Sequence, residues 1–263
     1  MAAQPKTVVI TGAGSGIGAA CAALLAADGV QLVLIGRRAA PLQQLAAQYG
    51  ALALDGDAAD STRWPGWLAQ IHQRFGTVTG LLCCAGGLGM GSALDTDDAA
   101  WHAAMRANLD TAFVAARACL PDLMASRGAM VLLASIASLA AGPEVCGYTT
   151  AKHALIGLTR SLARDYGPHG VRVNAVCPGW VKTPMADEEM QPLMQQYGDS
   201  LDEAYARVTA DVPLRRAAAA EEIASICRFL LSEQASIITG ATIVADGGSS
   251  IVDVPTLAFN ALS

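Results

Sequence analysis

Charged residues are scarce in this chain of 263 residues, and aromatic residues are scarcer still. Asp, Glu, Lys and Arg make up 15% of the sequence, Phe, Trp and Tyr make up 5%, and the net charge is −6. A chain with this net negative charge does not indicate the basic surface that binds nucleic acids or anionic membranes. We therefore expect neither kind of partner.

Long apolar runs are also missing. None reaches the roughly 18 residues of a membrane-spanning helix, and the N-terminal "MAAQPKTVVITGAG" does not resemble a signal peptide, because glycines interrupt its apolar residues. The seven cysteines form no C-x-x-C pair, which disfavours a zinc site, and their odd number suits reduced, mostly buried thiols. These absences predict a cytoplasmic protein without a metal.

Apolar, β-branched runs alternate with alanine-rich stretches along almost the whole chain. Strands that are apolar throughout are buried on both faces, as in a parallel sheet covered by helices. No repeat or linker divides the sequence, so we predict a single doubly wound α/β domain over residues 1–263, with about seven strands and helices on both faces. The predicted strands are 7–11, 31–35, 51–54, 78–84, 129–134, 171–176 and 237–245.

Residues 184–216 interrupt this alternation with a long polar stretch. Insertions at the carboxyl end of a strand often form lids over substrates. We predict such a lid here, mobile and with an apolar side that folds over the substrate. Its acidic residues and interleaved methionines include Asp187, Glu188, Glu189, Asp199, Asp202, Glu203, Met185, Met190 and Met194.

The stretch "VVITGAGSGIGAA" places four glycines between the first strand and the first helix. Glycines allow a tight turn and bring backbone N–H groups close to a pyrophosphate at the helix N-terminus. The spacing fits G-x-G-x-x-A and also the wider T-G-x-x-x-G-x-G. A tight turn alone also selects glycine, but the position between strand and helix favours a dinucleotide. The loop contacts would come from Gly12, Ser15, Gly16, Ile17 and Gly18.

The second strand ends in Gly36, Arg37 and Arg38. An NAD site of this kind has an Asp or Glu about 20 residues beyond the glycines to bind the ribose 2′-hydroxyl, and Gly36 stands at that place. Without the acid a 2′-phosphate is not repelled, and Arg37 offers it a forked donor; Arg38 either assists or is solvated. We predict NADP(H), with NAD(H) as the alternative. Asp57, in "LDGDAAD", either meets the adenine amino group or only closes a turn.

Tyr148 and Lys152 lie four residues apart in "GYTTAKHAL", on one face of a predicted helix. A free tyrosine has a pKa of about 10, and a nearby ammonium lowers that pKa by favouring the phenolate. A core tyrosine beside a surface lysine is the plain alternative. The position of Ser135 disfavours this alternative, because Ser135 follows the fifth strand at the edge where open α/β sheets bind ligands. Asn108 is a poor helix former within a helix, so its side chain is either solvated or specifically bound.

Together these motifs resemble the short-chain dehydrogenase/reductase family over residues 6–248. The resemblance implies a single-domain Rossmann-like fold, interconversion of ketones and alcohols with a nicotinamide cofactor, and a homotetramer or a dimer. The matching segments are "TGAGSGIG", "DAAD", "CCAG", "NLDTAF", the Ser135–Tyr148–Lys152 spacing, "VNAVCPGWVKT" and "ADGG".

The resemblance also assigns roles. Tyr148 is the general acid/base, and Lys152 binds the nicotinamide ribose and lowers the pKa of the tyrosine. Ser135 would hydrogen-bond to the substrate oxygen, and Asn108 would hold a water in a proton relay. The remaining cofactor contacts would come from Ala85, Gly86, Pro178, Gly179, Val181 and Thr183.

One departure from the family concerns Cys83 and Cys84, which stand where the family usually has two asparagines. Cysteine is a weaker hydrogen-bonding partner than an amide, so a structural hydrogen bond is in doubt there. A buried apolar pair is favoured over a redox pair.

The segments expected around the substrate are mostly apolar, and Glu144 is the only charge expected nearby. We predict a small, largely apolar carbonyl or alcohol substrate rather than a small anionic acid. The leading hypothesis is an NADP(H)-dependent reductase, the closest alternative an NAD-dependent catabolic alcohol dehydrogenase. A non-catalytic dinucleotide sensor is disfavoured by the four intact catalytic positions. The apolar residues are Leu88, Met90, Leu139, Val145, Trp180 and Met185.

Overall fold

The structure, a computed structural model, describes residues 6–262. Its strands are β1 (Thr7–Thr11), β2 (Gln31–Gly36), β3 (Leu52–Asp55), β4 (Gly80–Cys83), β5 (Ala129–Leu133), β6 (Arg172–Pro178), β7 (Val181–Lys182), β8 (Ala218–Ala219) and β9 (Thr242–Ala245). Seven of them form a parallel sheet in the order β3-β2-β1-β4-β5-β6-β9, while β7 and β8 pair separately. The predicted doubly wound, Rossmann-like sheet of seven strands is confirmed.

Helices cover both faces of the sheet. They are α1 (Gly16–Ala27), α2 (Ala39–Tyr49), α3 (Trp64–Phe75), α4 (Asp98–Met105), α5 (Thr111–Ser126), α6 (Cys146–Tyr166), α7 (Pro184–Tyr197), α8 (Leu201–Val208) and α9 (Ala220–Leu231). One apolar core lies between the sheet and α3, α5 and α6, and a second lies between the sheet and α1, α2 and α9. Since both faces are buried, the strands are apolar at nearly every position.

Between α4 and α5 the chain makes one wide helical turn over Arg106–Asp110, with the hydrogen-bond pattern of a π-helix. Such turns are frequent at functional sites. Asn108 lies in it and is buried. The poor helix former therefore stands where the α-helical pattern is broken, and its burial excludes a solvated side chain.

The last strand is shorter than the sequence predicts. Residues 237–245 are apolar enough for a strand, yet β9 begins only at Thr242. Gly240 has a φ of +71°, which a strand does not allow, and Ile237 is exposed. Residues 237–241 therefore form a loop that leads into β9, the edge strand.

The polar stretch 184–216 is largely helical. Thr183 caps α7 by accepting a hydrogen bond from the backbone of Ala186, and Ser200 and Glu203 form a capping box at the start of α8. Met190 is fully buried in a small core inside this segment, against Tyr205 among others, so this methionine does not face a substrate as predicted. Met185 remains partly exposed.

No helix in the described part of the chain combines the length and the apolarity that crossing a bilayer requires.

Candidate functional site

The glycine loop is packed too closely to accept side chains. A Cβ on Gly12 would lie 2.6 Å from the backbone nitrogen of Ala85, and a Cβ on Gly18 would collide with the carbonyl oxygen of Gly12. Gly16 has a φ of +54° and lies against the side chain of Thr183. Ser15, Gly16 and Ile17 open α1. The loop, the turn after β4 and the start of α7 therefore meet at the carboxyl edge of the sheet.

Two arginines follow β2 at the same edge of the sheet. Gly36 ends β2, and Arg38 donates a hydrogen bond from Nη2 to Ser15 Oγ across 2.8 Å. Arg37 lines an open groove of about 450 Å³, together with the turn after β4 and one side of α4. Arg38 is therefore attached to the glycine loop, and whether it also assists in binding a 2′-phosphate stays a prediction.

Asp57 is held by a residue that the sequence analysis missed. Its Oδ1 accepts a hydrogen bond from the backbone of Ala59 at 2.9 Å, and its Oδ2 lies 2.9 Å from Nη2 of Arg106. Arg106 belongs to the wide turn, 49 residues further along the chain, and no local signal predicts such a pair. A contact between Asp57 and an adenine stays a prediction, and there the base would share the carboxylate with Arg106.

Tyr148 and Lys152 lie on the first turns of α6, next to the end of β5. The Lys152 side chain is buried, and its Nζ donates a hydrogen bond to the carbonyl oxygen of Leu133 at 3.1 Å. Nζ lies 5.5 Å from the centre of the Tyr148 ring. Burial lowers the pKa of Lys152 to about 8, since desolvation disfavours the charged form.

The pKa of Tyr148 is raised in the protein alone. Burial is the main cause, and the nearby Ser135 hydroxyl acts in the opposite direction. The Tyr148–Lys152 spacing predicts a lowered pKa, and the structure shows the opposite, because desolvation disfavours the phenolate. The phenol is therefore protonated at neutral pH, which is the form that a general acid needs.

Ser135 follows β5 as the first residue of a short turn. Its Oγ accepts a hydrogen bond from the backbone of Ala137 at 3.1 Å, and its own N–H donates to Ser138 Oγ at 3.3 Å. The hydroxyl is thereby fixed through its oxygen, which leaves its proton available for a further acceptor.

Both ends of the Asn108 amide bind the protein. Oδ1 accepts a hydrogen bond from the backbone of Gly87 at 3.2 Å, and Nδ2 donates to the carbonyl oxygen of Ala104 at 3.0 Å. A Cβ on Gly86 would lie 3.2 Å from this Oδ1 and 3.8 Å from Nζ of Lys152. The amide thus joins the wide turn to the loop after β4. A water held by Asn108 stays a prediction.

The residues after β6 supply the last of the predicted cofactor positions at the carboxyl edge of the sheet. Pro178 ends β6, Gly179 donates its N–H to the carbonyl oxygen of Ala245, Val181 begins β7 and Thr183 caps α7 beside Gly16. The cofactor positions predicted from the sequence are therefore gathered along one edge of the sheet.

Comparison with known proteins agrees with this geometry. A family model described as Enoyl-(Acyl carrier protein) reductase matches residues 12–250, and "2-(S)-hydroxypropyl-CoM dehydrogenase 3" of Xanthobacter autotrophicus is 36% identical over 94% of this chain and 97% of its own. The chain is a member of the short-chain dehydrogenase/reductase family.

Other relatives span the same length. "Protein MoaE" of Klebsiella aerogenes is 56% identical over 97% of this chain and 99% of its own, and "Meso-2,3-butanediol dehydrogenase" of Serratia marcescens is 33% identical over 94% and 96%. Among solved structures, a variant of actinorhodin polyketide ketoreductase with NADPH superposes with a TM-score of 0.87, at 29% identity over 94% of this chain and 98% of that chain. The family model and these relatives identify this short-chain dehydrogenase/reductase as an oxidoreductase.

L-Sorbose reductase of Gluconobacter frateurii, solved with NADPH and L-sorbose, also has a TM-score of 0.87, at 28% identity over 93% of this chain and 96% of that chain. The likeness again covers nearly the whole chain.

In this short-chain dehydrogenase/reductase, Cys83 is buried, and its thiol donates only a weak bond to the carbonyl oxygen of Ala112, 4.0 Å away. Burial raises the pKa of Cys83, so it is no ready nucleophile. The turn is held by threonines, because Thr11 Oγ1 accepts from the N–H of Ala85 at 3.3 Å and Thr111 Oγ1 donates to its carbonyl oxygen at 3.5 Å. These bonds hold the turn without the asparagine amides that the family usually has.

Glu189 is an acidic residue whose charge acts on Tyr148. It lies half-buried on α7, and its negative charge contributes to the raised pKa of Tyr148. The sequence places it in the predicted lid and predicts Glu144 as the only charge near the substrate. The only sequence signal is the i, i+4 spacing with Met185, which puts both on one side of α7.

Proposed function

We propose that the protein interconverts a ketone and a secondary alcohol with NADP(H), using Tyr148 as the general acid/base. The observation that carries the proposal is the convergence of Tyr148, Lys152 and Ser135 at the carboxyl end of β5, beside the glycine loop. Two relatives are named as dehydrogenases of compounds with secondary hydroxyl groups, hydroxypropyl-CoM and butanediol.

The glycine loop fits a dinucleotide. The exclusion of side chains at Gly12 and Gly18 leaves backbone N–H groups of the loop free to approach a pyrophosphate at the N-terminus of α1. When bound, the dinucleotide supplies or accepts the hydride. The residues proposed to hold it are Gly12, Ser15, Gly16, Ile17, Gly18, Asp57, Ala85, Gly86, Tyr148, Lys152, Pro178, Gly179, Val181 and Thr183.

The preference for NADP(H) rests on Gly36, Arg37 and Arg38. No carboxylate follows β2 at the position that would bind a ribose 2′-hydroxyl. Within the part of the chain that the structure describes, neither arginine forms an ion pair with an acidic side chain. Two uncompensated guanidinium groups favour a 2′-phosphate over a hydroxyl.

The proton is handled by side chains of this chain. Ser135 donates its free proton to the substrate oxygen and so fixes that oxygen beside Tyr148. In reduction the Tyr148 phenol gives its proton to the oxygen; in oxidation it must take one, which a charged Lys152 assists by stabilising the phenolate. Asn108 is a positioning residue that keeps Gly86 and Gly87 beside Lys152.

The assembly, the substrate and the compartment are inferred from exposed side chains and from the cysteines. Ile251, Val254 and Phe259 are exposed apolar side chains within one short segment, which supports a homotetramer or a dimer. Partly exposed Leu88, Met90 and Met185 support a small, largely apolar substrate. Seven free cysteines support the reducing cytoplasm.

The test is a titration of the purified protein with NADPH and NADH, followed by a panel of neutral ketones with dinucleotide oxidation as the readout. We expect tighter binding of NADPH and turnover of at least one ketone. Tighter binding of NADH would favour the NAD-dependent alcohol dehydrogenase. Tight binding without turnover of any ketone or alcohol would favour the dinucleotide sensor.

A further inference from the structure

Arg106 and Asp57 form an ion pair that joins the wide turn after α4 to the loop after β3. Nε of Arg106 donates a hydrogen bond to Oδ2 of Asp57 at 3.0 Å, and Nη2 of the same guanidinium lies 2.9 Å from that oxygen. The other carboxylate oxygen, Oδ1, accepts a hydrogen bond from the backbone of Ala59 at 2.9 Å. The carboxylate is therefore fixed from both sides.

Asp57 lies beside the end of β2. Its neighbour Gly56 donates its N–H to the carbonyl oxygen of Gly36 at 2.9 Å, and Gly36 is followed by Arg37, which we propose to bind the 2′-phosphate. Because the adenosine ribose carries that phosphate, a side chain beside this arginine is near the adenine base of the cofactor. The Asp57 side chain remains 35% exposed, so a ligand at this end of the site can reach it.

The element that carries Arg106 borders the same end of the site. Ala103 and Ala107, which flank Arg106 on the chain, line the open groove together with Arg37. Asn108 in the same wide turn is buried, and both ends of its amide are hydrogen-bonded. The backbone under Arg106 is thereby fixed, which allows this arginine to keep its partner in one orientation.

The two oxygens of Asp57 are left in different states. Two guanidinium nitrogens of Arg106 lie within 3.0 Å of Oδ2, whereas Oδ1 has the backbone N–H of Ala59. An ionised carboxylate oxygen accepts about two hydrogen bonds, so Oδ1 keeps an acceptor site. The amino group at C6 of adenine is a donor that suits this site. A base with an oxygen at C6, such as hypoxanthine, would bring an acceptor against the carboxylate.

We propose that Arg106 is a positioning residue for cofactor binding, which orients Asp57 so that Oδ1 accepts a hydrogen bond from the adenine amino group. Arg106 acts through the carboxylate and makes no contact with the dinucleotide itself. The inference rests on the proposed function, since it requires a dinucleotide at this edge of the sheet. It gives the wide turn a part in recognising the base of the cofactor.

The test is a calorimetric titration with NADPH and with the analogue in which hypoxanthine replaces adenine. The two dinucleotides differ only in the base, so contacts to the phosphates and riboses cancel in the ratio of their dissociation constants. We expect the wild type to bind NADPH at least about tenfold more tightly, as a hydrogen bond to a charged group allows. NADH and its hypoxanthine analogue give the same comparison, so the result does not depend on which cofactor the protein prefers.

The decisive variant is Arg106→Met, which removes the guanidinium from Oδ2. Asp57 then keeps only the bond from Ala59, the carboxylate can turn, and we expect the preference for adenine to fall to about threefold or less. Arg106→Lys keeps the charge but not the planar fork and should have an intermediate preference.

The matched control is Arg63→Met. Arg63 is also an arginine near the loop after β3, but its Nη1 donates to the carbonyl oxygen of Asp55 at 2.9 Å and its Nε lies 3.7 Å from Asp60. Since neither contact involves Asp57, this variant should keep the wild-type preference for adenine. A loss of preference there would indicate a general disturbance of the loop and would count against the role of Arg106.

A double-mutant cycle with Asp57→Asn decides whether Arg106 acts through the carboxylate. If it does, Arg106→Met changes the base preference in the wild-type background and leaves it unchanged in Asp57→Asn. Equal changes in both backgrounds would overturn the proposal. Thermal unfolding of each variant is measured first, and Arg106→Lys replaces Arg106→Met in the cycle if the latter does not fold.

Other results separate this inference from the proposed function. If the wild type binds the adenine and hypoxanthine dinucleotides equally, or if Arg106→Met weakens both by the same factor, the inference is overturned and the proposed function stands. The second of these results would assign Arg106 to a phosphate contact or to a purely structural role. If the wild type binds no dinucleotide, the proposed function fails and the inference fails with it.

Discussion

Lys152 on α6 donates a hydrogen bond from Nζ to the carbonyl oxygen of Leu133 on β5, across 3.1 Å. The bond fixes a buried ammonium at the end of a strand, within reach of the Tyr148 ring. Because burial lowers the pKa of Lys152 to about 8, the charge of this group depends on pH in the range where the enzyme would be assayed.

The first prediction concerns the pH dependence of NADPH binding. The negative dinucleotide favours the charged form of Lys152, so above pH 8 the bound protein must take up a proton that the free protein has lost. We expect the affinity for NADPH to be nearly constant below pH 8 and to fall by up to about tenfold per pH unit above it. Calorimetry at pH 9 in two buffers of different ionisation enthalpy measures the proton uptake. Lys152→Met is the control, and equal uptake in it would assign the proton to another group.

The second prediction is that Tyr148→Phe abolishes turnover but leaves NADPH affinity nearly unchanged. The phenol transfers a proton, which is worth typically 10²–10⁴-fold in rate, whereas the ring remains to pack. Steady-state kinetics and a binding titration on the same preparation separate the two effects. Turnover within about tenfold of the wild type would remove Tyr148 from the acid/base role.

The third prediction concerns the two arginines. Arg37→Ala should weaken the binding of NADPH about 10- to 100-fold and leave the binding of NADH almost unchanged. The reason is that the 2′-phosphate is the only difference between the cofactors. Arg38→Ala should have a smaller effect on this preference, since its guanidinium is also bonded to Ser15. The measurement is kcat/KM for both cofactors.

Gly36→Asp should move the preference to NADH, because it supplies an acceptor for the ribose hydroxyl and repels the phosphate. The backbone tolerates this change, since a Cβ on Gly36 would meet only the side chain of Leu42, at the ordinary contact distance of 3.6 Å. If the wild type already prefers NADH, or if Arg37→Ala weakens the binding of both cofactors equally, the arginines do not bind the 2′-phosphate.

The fourth prediction is that limited proteolysis of the protein without ligands cuts first within residues 184–216. The helices α7 and α8 are capped at their starts, so we expect the cuts in the connections after each helix, around 198–200 and 209–216. Dinucleotide and substrate together should slow the cleavage. Equal rates with and without ligands would indicate a fixed insert rather than a lid.

Local patterns predicted the sheet well, because runs such as "TVVIT" are apolar enough to require burial on both faces. They failed where neighbours distant in sequence decide the structure. Nothing near Asp57 in the sequence shows that Arg106 will bind it. The helices of 184–216 were missed because their small core around Met190 gives only a few apolar positions among many charges.

The wide turn at Arg106–Asp110 restricts insertions and deletions in this part of the chain. A π-helical turn closes its hydrogen bond from residue i to residue i+5, so it holds one residue more than an α-helical turn. Deleting one residue would restore a regular helix from α4 to α5, but it would move the Asn108 amide and break its hydrogen bond with Gly87. The spacing from Trp101 to Phe113 should consequently be free of insertions and deletions among functional relatives, while the connection at 198–200 should accept them.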